Sequence, residues 1–436
     1  MNRKIFEKII EWDKQKNKKT LILTGAPGTG KTYLALELAK NFHDSYLYLN
    51  PLNDYRLKMA LSELAVQKQP DFRQFLQNYY QIPEEWLNEF LIILDECDNY
   101  SFINNLIEGI TAQPLSFRFM VISTQKPTDK LASQCEICEV TPLQFDEYLK
   151  AIGSEWYTEI IEAHYQTKKK IPEIVHKEMM NLFRDYLRIG GMPAAINEYL
   201  HTETLNNISS IHRNLYEIYL SQFNRYEESS IVRLKQLINT VPEQLIKDNK
   251  NYRYNLIRKG ATHNMFRTEL QYLCDLHLVN KIERADIDTI DGTLQIASHE
   301  NQFRLYPNDC GMLYSLLMAS SSDFVDETAE EEESTNTSDE QLFQLLSEAY
   351  LLQTLSYKKN PTVFWESGSM AKIDFVTKFD NCIMPIELKY HENKRSKSMH
   401  VFRQKFQPES CLKFGTQNFN TNELFVSCPI YSLFCL

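Results

Sequence analysis

Gly25-Ala26-Pro27-Gly28-Thr29-Gly30-Lys31-Thr32 satisfies the pattern G-x-x-x-x-G-K-[ST] at every constrained position. The chemistry of that spacing is phosphate binding. Glycines let successive backbone N–H groups close on phosphate oxygens, and a helix that starts at the loop adds its partial positive charge. Gly25, Pro27, Gly28, Thr29 and Gly30 would form the cradle for ATP. Lys31 would reach the β- and γ-phosphates, and Thr32 would ligate Mg2+. The apolar run Leu21-Ile22-Leu23 before the loop reads as a buried strand, and Tyr33 to Lys40 after it has helical periodicity.

Hydrolysis needs a metal-holding acid and a group that activates water, and Asp95-Glu96 offers both. The pair follows the continuous apolar run Phe90 to Leu94, as expected of a central parallel strand that delivers carboxylates at its C-terminal edge. Asp95 would hold the Mg2+ shell, and Glu96 would orient or deprotonate the attacking water. A third run, Phe119 to Ile122, ends in Ser123-Thr124-Gln125. Thr124 and Ser123 are candidate sensors of the γ-phosphate, or simply a polar strand end.

A different chemistry is legible near the C-terminus. Lys372 to Lys378 and Cys382 to Tyr390 alternate as two strands across Asp380-Asn381, a pair that tolerates a type I′ turn. With those two as turn residues, opposed positions sum to about 761 by the antiparallel pairing rule, so Asp374 faces Glu387, and the two-residue period puts Lys389 on the same side. Ile373, Phe375 and Thr377 would meet Leu388, Ile386 and Met384 on the other face. This is the D…E-x-K arrangement of restriction-endonuclease-like domains, in which Asp374 and Glu387 hold a divalent metal and Lys389 stabilises an attacking hydroxide or developing phosphate charge. Glu348, on an apolar helix from Gln341 to Leu355, could add an acid. A surface ion-pair cluster is the competing reading.

The rest of the chain must position these groups. Its 436 residues suffice for about three domains, and 43% hydrophobic with 12% aromatic content describes a globular protein. No apolar run reaches the length of a membrane span, and the N-terminus reads as an amphipathic helix containing acids, so the cytoplasm is the expected location. Nine scattered cysteines read as free thiols; Cys135-x-x-Cys138 lacks a second pair or a nearby His for zinc. Residues 317–341 hold nine acids and no Lys or Arg, leaving −2 of the net −11 for the remainder. That stretch reads as a solvated linker.

Residues 174–224 are helical in pattern, interrupted at Gly190-Gly191-Met192-Pro193. Pro193 could lie over the adenine base, or the turn could be a plain inter-helix bend. Ser229 to Thr240, Pro242 to Asp248 and Asn264 to Leu276 read as three helices, followed by strands from Val279 to Arg284 and Phe303 to Tyr306, the order of a winged helix-turn-helix. Lys247, Lys250, Arg253, Arg258 and Lys259, interleaved with Tyr252 and Tyr254, would be a DNA-binding face; a protein-docking module is the alternative. The expected fold class is α/β: a P-loop NTPase parallel sheet (1–155), a helical lid (156–228), a winged helix (229–316), the acidic linker (317–341) and a C-terminal α/β nuclease-like domain (342–436). ATP or ADP, DNA and a second copy of the chain are the candidate partners.

Over nearly its full length the chain resembles a family of prokaryotic AAA-type ATPases that carry a C-terminal domain of unknown function with a restriction-endonuclease-like fold. The resemblance rests on Gly25 to Thr32, Leu94-Asp95-Glu96, Pro142 to Phe145 and Gly190 to Pro193. It continues through Phe303 to Tyr306 with Asp309 and Gly311, Ile373-Asp374-Phe375, Pro385 to Lys389, Arg395 to Ser398 and Pro429-Ile430-Tyr431. It implies ATP binding and hydrolysis, a lid with a winged helix, and a nuclease-like terminal domain. The chain departs from the family at Glu348-Ala349, where Glu-Asn is usual, at Ser123-Thr124-Gln125, where a Thr-Gly-Ser type ending is usual, and in its longer acidic linker. Three roles are compatible with these features: an ATPase that licenses a nuclease, a nucleotide-operated switch with a docking domain, and an ATP-modulated DNA-binding regulator. In all of them Lys31 contacts the nucleotide. Lys31→Ala is therefore expected to abolish binding of a fluorescent ATP analogue in a direct titration.

Overall fold

Apolar runs too short to span anything but a sheet set the first layer. In the computed structural model β1 (Leu21–Thr24), β2 (Tyr46–Leu49), β3 (Leu91–Leu94), β4 (Arg118–Ile122) and β5 (Glu136–Glu139) form a parallel sheet in the order β2-β3-β4-β1-β5. The structure describes residues 3–16, 19–67, 70–98, 100–113, 115–290, 293–322, 339–368, 371–379, 382–390, 397–421 and 425–436. Successive strand residues point to opposite faces. Leu21, Leu23, Leu91 and Ile93 pack with the helices Lys4–Lys14 and Lys31–Phe42, while Ile22, Ile92, Leu94 and Phe119 pack with Tyr55–Ala65, Phe72–Tyr80 and Ile103–Thr111. Burial on both sides is why these runs are continuously apolar rather than alternating. Because β4 lies between β1 and β3, the residues that leave its C-terminal end emerge between the phosphate loop and Asp95.

The chain divides into two compact units, one of residues 1–141 with 275–277 and one of 142–274 with 278–436. The expected boundary at 155 thus lies past the observed one, and those at 228, 316 and 341 fall inside the second unit.

In the second unit the helices Glu173–Ile189 and Pro193–Thr202 are separated by the expected tight turn. Its glycines are required by crowding: a Cβ on Gly190 would meet Asp309 Oδ1 at 2.2 Å, and one on Gly191 would meet the Leu143 carbonyl oxygen at 2.2 Å. The helix Glu228–Leu245 is continuous through Pro242, where two helices were expected. Proline in a helix costs about 3 kcal/mol, but Leu234, Leu237, Ile238, Val241 and Leu245 carry one buried stripe across it. Each such side chain contributes about 1.5–3 kcal/mol, so the stripe prevails.

The second sheet has eight strands. They are β6 (Val279–Ile290), β7 (Thr293–Pro307), β8 (Thr362–Ser367), β9 (Ala371–Phe379), β10 (Cys382–Lys389), β11 (Leu412–Gly415), β12 (Asn420–Thr421) and β13 (Val426–Pro429), in the order β12-β13-β11-β10-β9-β8-β6-β7. The expected wing is therefore not a separate hairpin. Its strands are longer than the pattern indicated, and β6 pairs in parallel with β8 at Glu283↔Val363 and Arg284↔Phe364, so the wing and the C-terminal strands share one sheet. The helix Lys397–Phe406 covers this sheet with Met399, Phe402 and Phe406 against Trp365, Ile373 and Val376.

β9 and β10 pair Phe379↔Cys382 through Phe375↔Ile386, the register the sequence predicts, while the turn residues Asp380 and Asn381 lie outside the described residues. The acidic segment is helical where it is described at its ends, within Cys310–Ser322 and Asp339–Tyr357; residues 323–338 lie outside the described set.

Asp309 ties the turn to the helix Cys310–Ser322. It is fully buried, and its carboxylate accepts from Gly191 N at 2.6 Å and Met312 N at 3.0 Å. Burial pushes its pKa up to about 6, against the pull of those N–H groups. A carboxyl whose folded pKa lies above its unfolded value binds more protons when folded, so its stability contribution is full below the ordinary 3.8 and falls as pH rises through about 6. Between pH 4 and pH 6.5 the parent is expected to lose stability relative to Asp309→Asn, by roughly 2 kcal/mol. Urea midpoints of both proteins across that range test this; parallel curves would contradict it.

Candidate nucleotide site and C-terminal acid cluster

The loop between β1 and the helix Lys31–Phe42 has the backbone that a phosphate cradle needs. Gly25, Gly28 and Gly30 have φ of 137°, 81° and 93°, values that side chains rarely tolerate. A Cβ on Gly25 would meet the Val140 carbonyl oxygen at 2.3 Å. Pro27 and Thr29 are buried, and Thr29 Oγ1 donates to the Ala26 carbonyl at 2.9 Å. Lys31 Nζ donates to the carbonyls of Gly25 (2.8 Å) and Ala26 (2.9 Å). Burial lowers its pKa to about 8, while Asp98, Asp95 and Glu96 pull it back up. A cation held this way, near three acids and with no carboxylate in direct contact among the described residues, is ready to exchange loop carbonyls for phosphate oxygens.

Asp95 is buried at the end of β3. Its Oδ2 accepts from Thr32 Oγ1 at 2.7 Å and from Tyr48 Oη at 2.8 Å, and its Oδ1 accepts from Glu96 N at 2.8 Å. The two expected Mg2+ ligands, Thr32 and Asp95, are therefore adjacent. Tyr48, on β2, was not found from the sequence because only sheet pairing brings it there. Burial and the Asp95 charge push its phenol pKa up. Glu96 is exposed and has φ of 52°, an uncommon conformation for a non-glycine residue and one that clusters at functional sites.

Ser123 and Thr124 emerge from β4 as expected, and both bind one acid that the sequence reading passed over. Ser123 Oγ donates to Asp98 Oδ1 at 2.7 Å, Thr124 Oγ1 donates to Asp98 Oδ2 at 2.7 Å, and Thr124 N donates to that same oxygen. Asp98 also heads the charges that act on Lys31. The signal that could have found it is its place three residues after Asp95 on the same strand exit. Pro193 begins the helix Pro193–Thr202 in the second unit.

The C-terminal acids stand among cations. Arg304 Nη1 donates to Asp374 Oδ1 at 2.8 Å, Arg304 Nη2 lies 3.5 Å from Glu366 Oε1, and the guanidinium stacks 4.1 Å from the Phe364 ring centre. Burial opposes the charge on Asp374, yet Arg304, Lys372 and Lys250 together hold its pKa below the ordinary range. Buried Glu348 accepts from Lys250 Nζ at 2.6 Å on each oxygen and from Tyr306 Oη at 2.9 Å. Lys250 is thereby removed from the expected DNA face, and Tyr252 and Tyr254 are buried; Lys247, Arg253, Arg258 and Lys259 remain exposed.

The β9–β10 ladder stops one pair short of Asp374 and Glu387. On the other side of β9 the pairing shifts between Val363↔Val376 and Trp365↔Ile373, so Asp374 and Phe375 together oppose Phe364. Such a bulge re-aims a side chain, and strict alternation could not reveal it. Glu387 instead pairs with Lys413 on β11, and its Oε2 is buried without a hydrogen-bond partner among the described residues. Burial lowers the Lys413 pKa, helped by the Lys389 charge and opposed by Glu387. Among the described residues no group of three or more His, Cys, Asp or Glu could hold a metal.

Residues 17–149 match the AAA domain family, residues 180–323 a domain of unknown function (DUF8612), and residues 344–433 a domain of unknown function (DUF4143). The phosphate loop and its acids therefore belong to an AAA-type P-loop ATPase domain. No curated protein matches significantly. Among solved structures the chain is similar to the Walker-type ATPase PABY2304 of Pyrococcus abyssi, at 12% identity and TM-score 0.41, covering 72% of this chain and 95% of that one. It is also similar to the Signal Transduction ATPase with Numerous Domains protein with a tetratricopeptide repeat sensor, PH0952, from Pyrococcus horikoshii, at 15% identity and TM-score 0.29, covering 82% of this chain and 48% of that one. No helix among the described residues is long and apolar enough to cross a membrane.

Glu96 follows Asp95 directly and keeps its side chain accessible to water. Glu96→Gln is expected to retain ATP affinity while kcat falls by roughly 10²–10⁴-fold, the usual worth of a general base. Nucleotide titration and phosphate release measure the two separately, and parent-rate hydrolysis by the variant would remove Glu96 from that role.

Proposed function

We propose that this protein is a Mg2+-dependent ATP hydrolase that works as a nucleotide-operated switch, its second unit serving as the effector. The observation that carries the reading is the contact of Thr32 with Asp95, followed directly by Glu96. In the proposed site Thr32 and Asp95 hold Mg2+, Lys31 binds the β- and γ-phosphates, and Glu96 orients the attacking water. Thr124, held by Asp98, senses the γ-phosphate. Free thiols and a nucleotide ligand suit a cytoplasmic setting.

For the second unit we favour docking over nuclease action, because Arg304 and Lys250 already neutralise Asp374 and Glu348. A divalent metal would have to displace guanidinium and ammonium groups that sit at hydrogen-bond distance. The nuclease reading keeps one observation in its favour, that β9 and β10 hold the expected register as far as Phe375↔Ile386, one step before Asp374 and Glu387. A DNA-binding role would rest on the exposed Lys247, Arg253, Arg258 and Lys259.

Incubating supercoiled and single-stranded DNA with Mg2+ or Mn2+, with and without ATP, separates these readings. The expected result is no cleavage by parent, Asp374→Ala or Lys31→Ala, together with ATP hydrolysis that Lys31→Ala abolishes. Metal-dependent nicking that disappears in Asp374→Ala would establish the nuclease instead.

A further inference from the structure

Thr24, the last residue of β1, hands the chain to the phosphate loop, and its buried side chain is held from an unexpected direction. Thr24 Oγ1 donates to the Gln125 carbonyl at 2.8 Å and lies 3.1 Å from His277 Nε2. His277 Nδ1 lies 2.9 Å from Glu139 Oε1 at the end of β5. Thr24 and Glu139 thus lie at hydrogen-bond distance from the two opposite nitrogens of one ring. Two residues earlier the Asp275 carbonyl accepts from Lys126 N at 2.9 Å. The tripeptide Asp275–His277 therefore spans the C-terminal ends of three adjacent strands, β4, β1 and β5.

This tripeptide clusters with the first unit, although the residues before it in the helix His263–Asp275 and β6 after it belong to the second. His277 has φ of 56° and is 9% exposed. A buried non-glycine residue in the left-handed region is held there by its surroundings. The third chain passage between the units, after Thr141, is tied to the same loop: buried Arg3 donates from Nη1 to the Thr29 carbonyl at 3.1 Å and from Nη2 to the Thr141 carbonyl at 2.6 Å. Each place where the chain passes from one unit to the other is thus linked by hydrogen bonds, directly or through Arg3, to the phosphate loop, to the residue that precedes it, or to the segment that follows Thr124.

We propose that Asp275–His277 couples nucleotide state to the second unit, with His277 as its positioning residue. The inference rests on the switch reading above and names the element through which the switch acts. A γ-phosphate that draws on Thr124 displaces Gln125 and Lys126. Gln125 pulls on the Thr24 hydroxyl that His277 holds, and Lys126 pulls on the Asp275 carbonyl. The tripeptide is covalently continuous with the helix before it and with β6, so displacement passes into the second unit without any further contact. A His277 that only filled space would affect stability equally with ATP, ADP or neither.

The test is hydrogen exchange of the full chain without nucleotide, with Mg-ADP and with a non-hydrolysable Mg-ATP analogue, in parent and His277→Gly. Glycine adopts the same backbone and removes only the ring. The parent is expected to show nucleotide-dependent exchange in residues 263–274 and 278–287. His277→Gly is expected to bind nucleotide within about threefold of the parent, to lose that dependence, and to show kcat reduced about tenfold at little-changed KM. Should it fail to fold, His277→Asn tolerates the backbone, is too short to reach Thr24 and Glu139 together, and carries the same expectation. A variant that keeps the parent's nucleotide-dependent exchange overturns the role of His277. A parent that hydrolyses ATP with no nucleotide-dependent exchange in residues 278–436 overturns the switch reading itself, and a parent that binds no nucleotide overturns the ATPase reading.

Discussion

The approach of Gly25 to the Val140 carbonyl is the constraint on which the first unit depends. Only a residue without a side chain lets the phosphate loop lie against the end of β5, since a Cβ there would come within 2.3 Å of a backbone oxygen. Neither backbone can yield without breaking the sheet, so the loop inherits the rigidity of the β-ladder. Arg3 closes the same corner from the N-terminal helix by bridging the Thr29 and Thr141 carbonyls. A burial this complete, 6% exposed for an arginine, is tolerated because the guanidinium donates to two backbone carbonyls.

What the sequence disclosed follows from where single residue types are compulsory. Glycines at positive φ, a lysine and a hydroxyl leave few substitutes, so the loop could be read outright, and continuous apolar runs gave the two-sided parallel strands. The β9–β10 register was legible because a two-residue turn fixes pairing arithmetically. Contacts made by tertiary approach were not: Tyr48, Arg3 and His277 belong to no local pattern that separates them from other polar residues. The bulge at Asp374 and the helix that continues through Pro242 were hidden for a related reason, since each breaks a local rule that packing overrides. Lys250 and Arg304 illustrate the hardest case. Their charge suggested an outward nucleic-acid face or nothing at all, and the fold turns both onto acids from strands and a helix that follow much later in the chain.

The two acid groups are handled by opposite physical means. Around Asp95 the side-chain partners are neutral hydroxyls, from Thr32 and Tyr48. Around Asp374 and Glu348 the partners are themselves cations, so the charge is already spent within the protein. The chemistry of the residue type is the same in both places; the neighbours decide what it is free to attract.

The insertion of Asp275–His277 beside β1 also bears on how the chain acquires its structure during synthesis. The five strands and their helices are complete by Thr141, yet the three residues that close the ends of β4, β1 and β5 follow more than a hundred positions later. A nascent chain would hold the ATPase sheet with those strand ends uncovered until the helix His263–Asp275 had been made. The eight-stranded sheet is later still, since β6 waits for β8 across the segment from 307 to 362. Such long-range closures are slow, because loop entropy is lost before the contacts form. Maturation of the first unit is thereby subordinated to the arrival of the second, and a ribosome stall between residues 142 and 274 would release a sheet with its phosphate loop formed and its keystone missing.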